Sequence, residues 1–208
     1  MIPPEVLIAF LSVSVLLALA PGPDNIFVLT QSALAGKYAG LAVTLGLCTG
    51  LIVHTSAVAF GVAVIFQTSA LAFTALKFVG AAYLLYLAWL SFGADAEDIS
   101  AKKNESRSYS RLYRRGIIMN VTNPKVSIFF LAFLPQFADP QRGSLVLQIM
   151  LLGGVFAIST ILVFGSIAMF AASLGSWIGK SDKTQLIMNR IAGTVFVALA
   201  LRLIMIER

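Results

Sequence analysis

The chain has 208 residues, of which 59% are hydrophobic and only 12% charged, with a formal net charge of +6 and a mean hydropathy of +0.91. Ordinary soluble domains are about 25% charged, so this composition excludes one and requires an integral membrane protein. The basic excess does not point to nucleic acid, because six of the 15 Lys and Arg residues lie between Lys102 and Arg115 in one polar loop, which in a membrane protein marks the cytoplasmic side.

About 20 apolar residues span the hydrocarbon core of a bilayer. Segment one runs from Pro4 to Leu29 and is interrupted at 21–24. Its uncharged run from Val6 to Ala20 ends in Pro21-Gly22-Pro23-Asp24-Asn25. Ala18-Leu19-Ala20 imitates a signal-peptide cleavage site, but no Lys or Arg precedes the run and Pro21 follows it. The stretch therefore reads as a retained membrane segment. Segment two occupies the 28 uncharged residues between Tyr38 and Gln67 and carries Gly40, Gly46, Gly50 and Gly61. Gly46 and Gly50 have the G-x-x-x-G spacing that lets membrane helices approach closely, which places segment two against the broken helices. Its Cys48 and His54 are the chain's only cysteine and histidine, and Cys48 reads as a small buried hydrophobe.

Segment three runs from Ala70 to Phe92, with Lys77 near its start and Tyr83, Tyr86 and Trp89 at helical spacing. Those aromatics read as packing or interfacial residues. A polar stretch follows from Gly93 to Arg115. Segment four, Gly116 to Phe137, contains a second break at Asn123-Pro124-Lys125. Segment five runs from Ser144 to Leu174 and segment six from Leu186 to Ile206.

The predicted fold is an all-α integral membrane protein with six transmembrane helices and no strands of consequence. The polar stretch separates three helices (1–92) from three (116–208), with 93–115 as a cytoplasmic loop. An odd number of spans per half inserts the halves in opposite senses, and each half opens with a broken helix. Paired Pro/Gly-interrupted segments in corresponding positions mark an inverted repeat and a transport site near the midplane. Lys37, the six basic residues from Lys102 to Arg115, and Lys180, Lys183 and Arg190 lie on one side. Arg142 and Arg208, with Lys77 and Arg202 at helix ends, lie on the other. This bias puts the odd-numbered loops in the cytoplasm and both termini outside.

Asp24 alone among the nine acidic residues lies deep in a predicted membrane zone. An ionisable residue there is a functional-site hypothesis by default: Asp24 can take and release a proton or hold an ammonium group. It can also cap the half-helix after the break, and the two roles are compatible. Lys125 supplies the opposite charge in the second half, about nine residues or 13 Å into segment four at 1.5 Å per residue. From that depth, snorkelling is strained, and a functional role or an ion pair with Asp24 is expected. Asn25, Asn120 and Asn123 flank the breaks and can hydrogen-bond freed backbone or ligand. His54 is a packing residue or a proton relay. Pro21, Gly22, Pro23 and Pro124 make the breaks. No metal-ligand set, no Ser/His/Asp constellation and no phosphate loop is present. No cofactor is expected, and coupling must come from an ion gradient unless the protein is passive.

These residues resemble the LysE/RhtB family of amino-acid exporters. The resemblance rests on PGPDN (21–25), GKYAGLAVTLGLCTG (36–50), KFVGAAYLLYLAW (77–89) and RRGIIMNVTNPKVSIFFLAFLPQF (114–137), with a lean to the RhtB-like branch. It implies six helices in a bacterial inner membrane and efflux of amino acids or close derivatives coupled to proton influx. Family substrates include basic amino acids, homoserine and its lactone, threonine and leucine-like amino acids. A zwitterion needs an anion for its ammonium and a cation or helix N-terminus for its carboxylate, and Asp24 and Lys125 offer both. The rival readings are a passive channel and, further behind, an intramembrane enzyme. Metal efflux is disfavoured by the scarcity of soft or imidazole ligands. The expected partners are the small-molecule substrate and the lipid bilayer, with no nucleic acid, and the glycine-bearing faces offer a surface for a homodimer.

Overall fold

The computed structural model describes residues 2–68, 70–93, 108–178 and 182–205. They form an all-α membrane protein, with no strand among the described residues. Its helices are α1 (Pro4–Leu19), α2 (Pro23–Ala35), α3 (Lys37–Thr68), α4 (Ala70–Gly93), α5 (Tyr109–Thr122), α6 (Pro124–Ile128), α7 (Leu145–Ile178) and α8 (Asp182–Met205). By length and apolarity α3 and α7 each suffice to cross a membrane, and so does each of the bent pairs α1–α2 and α5–α6 with the turns that follow it. Within α4 the apolar part is the shorter stretch Lys77–Gly93.

Proline chemistry sets both breaks. Pro21 has no N–H to donate to Leu17, and it pushes Ala20 out of the helical region, to ψ 123°. Pro23 then opens α2 at a position where a missing N–H costs nothing, and α2 leaves α1 at 61°. The helix therefore resumes earlier than the interval 21–24 suggests, so Asp24 stands in the first turn of α2. At the second break Asn123 precedes Pro124 and turns extended, at φ −74° and ψ 108°, and the chain bends by 52°.

Two further expectations need correction. Helix α5 begins at Tyr109, inside the stretch assigned to a polar loop, because the side chains of Arg111, Arg114 and Arg115 are good helix formers that hydropathy alone hides. Residues 94–107, with Lys102, Lys103 and Arg107, lie outside the described residues, as do Lys180 and Arg208, and so do the side chains of Lys183 and Arg202. Segment four is also not α-helical to its end. After α6 the chain widens into a π-helix over Phe129–Phe133 and tightens into a 3-10 turn over Leu134–Phe137. Pro135 offers no N–H to the Leu131 carbonyl, so an α-helix cannot continue there.

Glycines fix how the helices run. A Cβ on Gly46 would strike the Tyr113 carbonyl, and one on Gly50 would strike the Asn120 side chain, so α3 and α5 are in intimate, parallel contact. Gly40 meets Ala168, and Gly153 meets Thr55, which sets α3 and α7 antiparallel. Gly80 approaches Leu203, and Gly193 lies on Phe92, so α4 and α8 are antiparallel as well. Phe10, Phe129, Phe130, Phe133 and Phe196 are fully buried within the larger of two apolar clusters. Ile52, Phe60, Leu147 and Leu162 face outward, a surface suited to lipid rather than water. Tyr83, Tyr86 and Trp89 line up along α4 with ring centroids 5.9 and 6.1 Å apart, and Trp89 is exposed.

Candidate functional site

The last carbonyls of α1 lose their helical partners at the break, and two polar side chains take them up. The Asn25 side-chain amide donates to the Ala18 carbonyl at 2.6 Å. The Lys125 ammonium, from the other half of the chain, donates to the Ala20 carbonyl at 3.0 Å. The approach brings Lys125 Nζ close to Gly22, where a Cβ would stand 3.4 Å away, in ordinary van der Waals contact. The ammonium thus sits at the negative end of α1, where a cation is favoured. It also lies 5.8 Å from the centre of the Phe196 ring.

Asp24 occupies the complementary place, in the first turn of α2, where the positive end of the helix favours an anion. It is only 6% exposed, and its Oδ1 has no hydrogen-bond partner. The cap of α2 is Gly22, with no side-chain cap bond, so Asp24 does not act as the cap. In the second half the cap bond is made: Asn123 Oδ1 accepts from the Lys125 backbone N–H at 3.0 Å.

Of the two roles expected for Lys125, a direct ion pair with Asp24 is not formed. The physical reason is the freed Ala20 carbonyl, which lies closer and holds the ammonium. Lys125 nonetheless faces Asp24 through space, with the Asn120 and Asn123 side chains beside the carboxylate. Asn120 is 2% exposed, and its side-chain oxygen is a second buried acceptor without a partner. Buried polar atoms are almost always satisfied, so two unpartnered acceptors at one place single it out as a candidate binding site.

The space between these groups is a small, partly open cavity of about 20 Å³, room for a single water. Asp24, Asn25, Asn120, Asn123 and Lys125 make its polar wall. Leu17, Leu51, Phe156 and Phe164 are on its apolar wall, and Thr160 lines it as well. The Thr160 hydroxyl is already committed to the Phe156 carbonyl at 2.9 Å.

His54 lies outside this lining. Its Nε2 is 3.1 Å from the Asn120 carbonyl oxygen and its ring 5.8 Å from Phe130, so it meets the site only through Asn120. Gly50 packs on the Asn120 side chain, and Gly46 on Tyr113 and Gly116. Cys48 is buried, with its sulfur 3.9 Å from the Ala157 carbonyl oxygen. The Lys77 ammonium donates to the Ile204 carbonyl near the end of α8 at 3.3 Å. Phe156, Thr160 and Phe164 escaped the sequence reading. They recur at intervals of four, the spacing of one helix face, which was the available signal.

Two broken helices that converge on a charged pocket inside an all-α membrane protein define a membrane transport protein. The chain belongs to the LysE type translocator family, which it matches over residues 15–206. A homoserine/homoserine lactone efflux protein of Salmonella typhimurium is 36% identical to it over 193 residues, 91% of each chain. A protein of the same name from Salmonella typhi is 35% identical over 193 residues, again 91% of each. An uncharacterized membrane protein of Vibrio cholerae is 34% identical over 194 residues, 93% of each. No solved structure matches the chain.

Proposed function

We propose that the protein exports small amino acids of the homoserine type, or close derivatives, from the cytoplasm in exchange for protons. The observation that carries this reading is the buried Asp24 carboxylate with one unpartnered oxygen, in a small pocket that Lys125 also lines. The pocket admits one water as it stands and widens to receive substrate, whose ammonium then binds Asp24 while its carboxylate binds Lys125 and the neighbouring amides. Substrate and proton compete for Asp24: protonation from outside releases the ammonium, and deprotonation inside restores the site. The name shared by the Salmonella relatives supports homoserine or its lactone as cargo.

The transport cycle rests on six spans arranged as inverted halves, 1–92 and 116–208, in the bacterial inner membrane. The antiparallel pairing of α3 with α7 and of α4 with α8 supports that symmetry, because an axis in the membrane plane reverses equivalent helices. Lys37 and Arg111, Arg114 and Arg115 begin the parallel helices α3 and α5 at one end, which supports a cytoplasmic assignment for that end.

The test is Asp24→Asn in proteoliposomes preloaded with labelled homoserine, with and without an imposed pH gradient. The variant keeps the shape and loses the charge, so gradient-driven efflux should vanish while the protein stays monodisperse. Efflux equal to the wild type would sink the exchange mechanism.

A further inference from the structure

A second cavity, of about 370 Å³, opens between the N-terminus of α1 and the turns that precede α7. Glu5, Gln136, Asp139, Arg142 and Gln148 supply its polar lining, so it presents both signs of charge. Its floor is held firmly: the Gln148 side chain accepts from the Asp139 backbone N–H at 3.0 Å and donates to the Asp139 carbonyl at 2.9 Å. This chamber lies at the end of the bundle opposite Lys37, because α7 runs antiparallel to α3.

Between chamber and central pocket stands an unbroken column of aromatic rings. Phe156 lines the pocket and packs with its ring tilted 5.5 Å from that of Phe129. Phe129 is 5.1 Å from Phe133, and Phe133 is 5.2 Å from Phe137. Phe137 lines the chamber and meets Phe10 at 5.0 Å. None of the five is more than 8% exposed. Three of them lie on the stretch with irregular winding, the π-helix at Phe129–Phe133 and the 3-10 turn at Leu134–Phe137. A π-helix holds one residue more per hydrogen-bonded turn than an α-helix and is a feature of functional segments. Shedding that residue rotates everything after it by about 100°, one residue's worth at 3.6 residues per turn.

We propose that this column is the closed outer gate of the transport path, and that the Glu5–Asp139–Arg142 chamber receives the substrate when the π-helical turn relaxes and swings Phe133 and Phe137 aside. The inference deepens the exporter reading and rests on it for direction. A plain core would bury its rings on regular helices. Here the rings join two polar cavities along an element that has a second regular winding available to it.

The gate is tested by cysteine labelling, which needs no transport. In a Cys48→Ala background, Thr160→Cys reports on the central pocket and Ala138→Cys on the chamber, each treated from outside with a membrane-impermeant maleimide. With the column intact, Ala138→Cys should react and Thr160→Cys should not. Phe133→Ala should raise the Thr160→Cys labelling rate at least tenfold. If Phe133→Ala fails to fold, Phe133→Leu opens the same ring contacts with less lost volume, and the same comparison applies. Equal labelling of Thr160→Cys with the column intact overturns the gate. So does a Thr160→Cys that stays unreactive in the folded variant while Ala138→Cys reacts. A failure of the Asp24→Asn experiment strikes the exchange mechanism alone, and a failure here strikes the gate alone.

Discussion

The parallel contact of α3 with α5 makes a test in which one methyl group should have opposite effects at two glycines. In Gly46→Ala the new Cβ lands on the Tyr113 carbonyl and within 3.1 Å of the Gly116 Cα. Those atoms are backbone and cannot swing away, so the whole of α5 must move. Overpacking of this kind costs up to about 3 kcal/mol, and the gain in helix propensity from Gly to Ala returns about 1 kcal/mol. The net loss is about 2 kcal/mol. In Gly154→Ala the same methyl meets nothing within 4 Å, so only the gain of about 1 kcal/mol remains. For a chain of this size 1 kcal/mol shifts the midpoint by about 2–4 °C. Thermal unfolding in detergent should therefore place Gly46→Ala about 4–8 °C below the wild type and Gly154→Ala about 2–4 °C above it. Because α5 carries Asn120 to the pocket, Gly46→Ala should also lose export per folded molecule, while Gly154→Ala should not. A Gly46→Ala protein as stable as Gly154→Ala would refute the close approach on which the site's geometry depends.

Lys125→Met removes the donor to the Ala20 carbonyl and, among the described residues, the only cation lining the pocket; a charged hydrogen bond contributes about 1.5–3 kcal/mol, so substrate affinity measured by calorimetry should fall at least about tenfold, and unchanged affinity would remove Lys125 from the site. Asp139 is held below its ordinary carboxyl value of 3.8, first by the Gln141 backbone N–H and then by Arg142. A lowered folded-state value means that its contribution is complete above about pH 4 and lost as the pH falls through the folded value beneath that. Hydrogen exchange at Gln141 should therefore quicken in acid, beyond the intrinsic pH trend, and Asp139→Asn should abolish that dependence.

The breaks were legible because proline acts locally: Pro21, Pro23 and Pro124 stop or start a helix whatever surrounds them. The charges were legible because lipid makes any buried carboxylate or ammonium conspicuous. Partner choice was not. Nothing near Lys125 in sequence announces that the Ala20 carbonyl, 105 residues away, competes better for the ammonium than Asp24 does. The winding of Phe129–Phe137 was only half visible, since Pro135 forbids an α-helix at that point but does not decide between π and 3-10. The beginning of α5 at Tyr109 was hidden for a different reason: hydropathy sees the charges of Arg111, Arg114 and Arg115, whereas helix formation depends on their unbranched side chains. Of the pocket's apolar wall, only the four-residue recurrence of Phe156, Thr160 and Phe164 was open to reading.

The separate housing of the two charges bears directly on the proposed exchange. Had Asp24 and Lys125 closed on each other, each arriving substrate would have had to part a buried ion pair, and losing one partner of such a pair costs about 3–5 kcal/mol. Instead each charge rests on a half-helix end of the opposite sign, Asp24 on the first turn of α2 and Lys125 on the carbonyl of Ala20, which caps α1. The helix ends hold the charges in place without consuming them, and one carboxylate oxygen remains unpartnered. A proton and a substrate ammonium can then replace each other at Asp24 without an internal pair between Asp24 and Lys125 having to be parted first. The prolines that interrupt the two helices therefore do more than open a cavity, because they create the backbone dipoles that keep the pair apart.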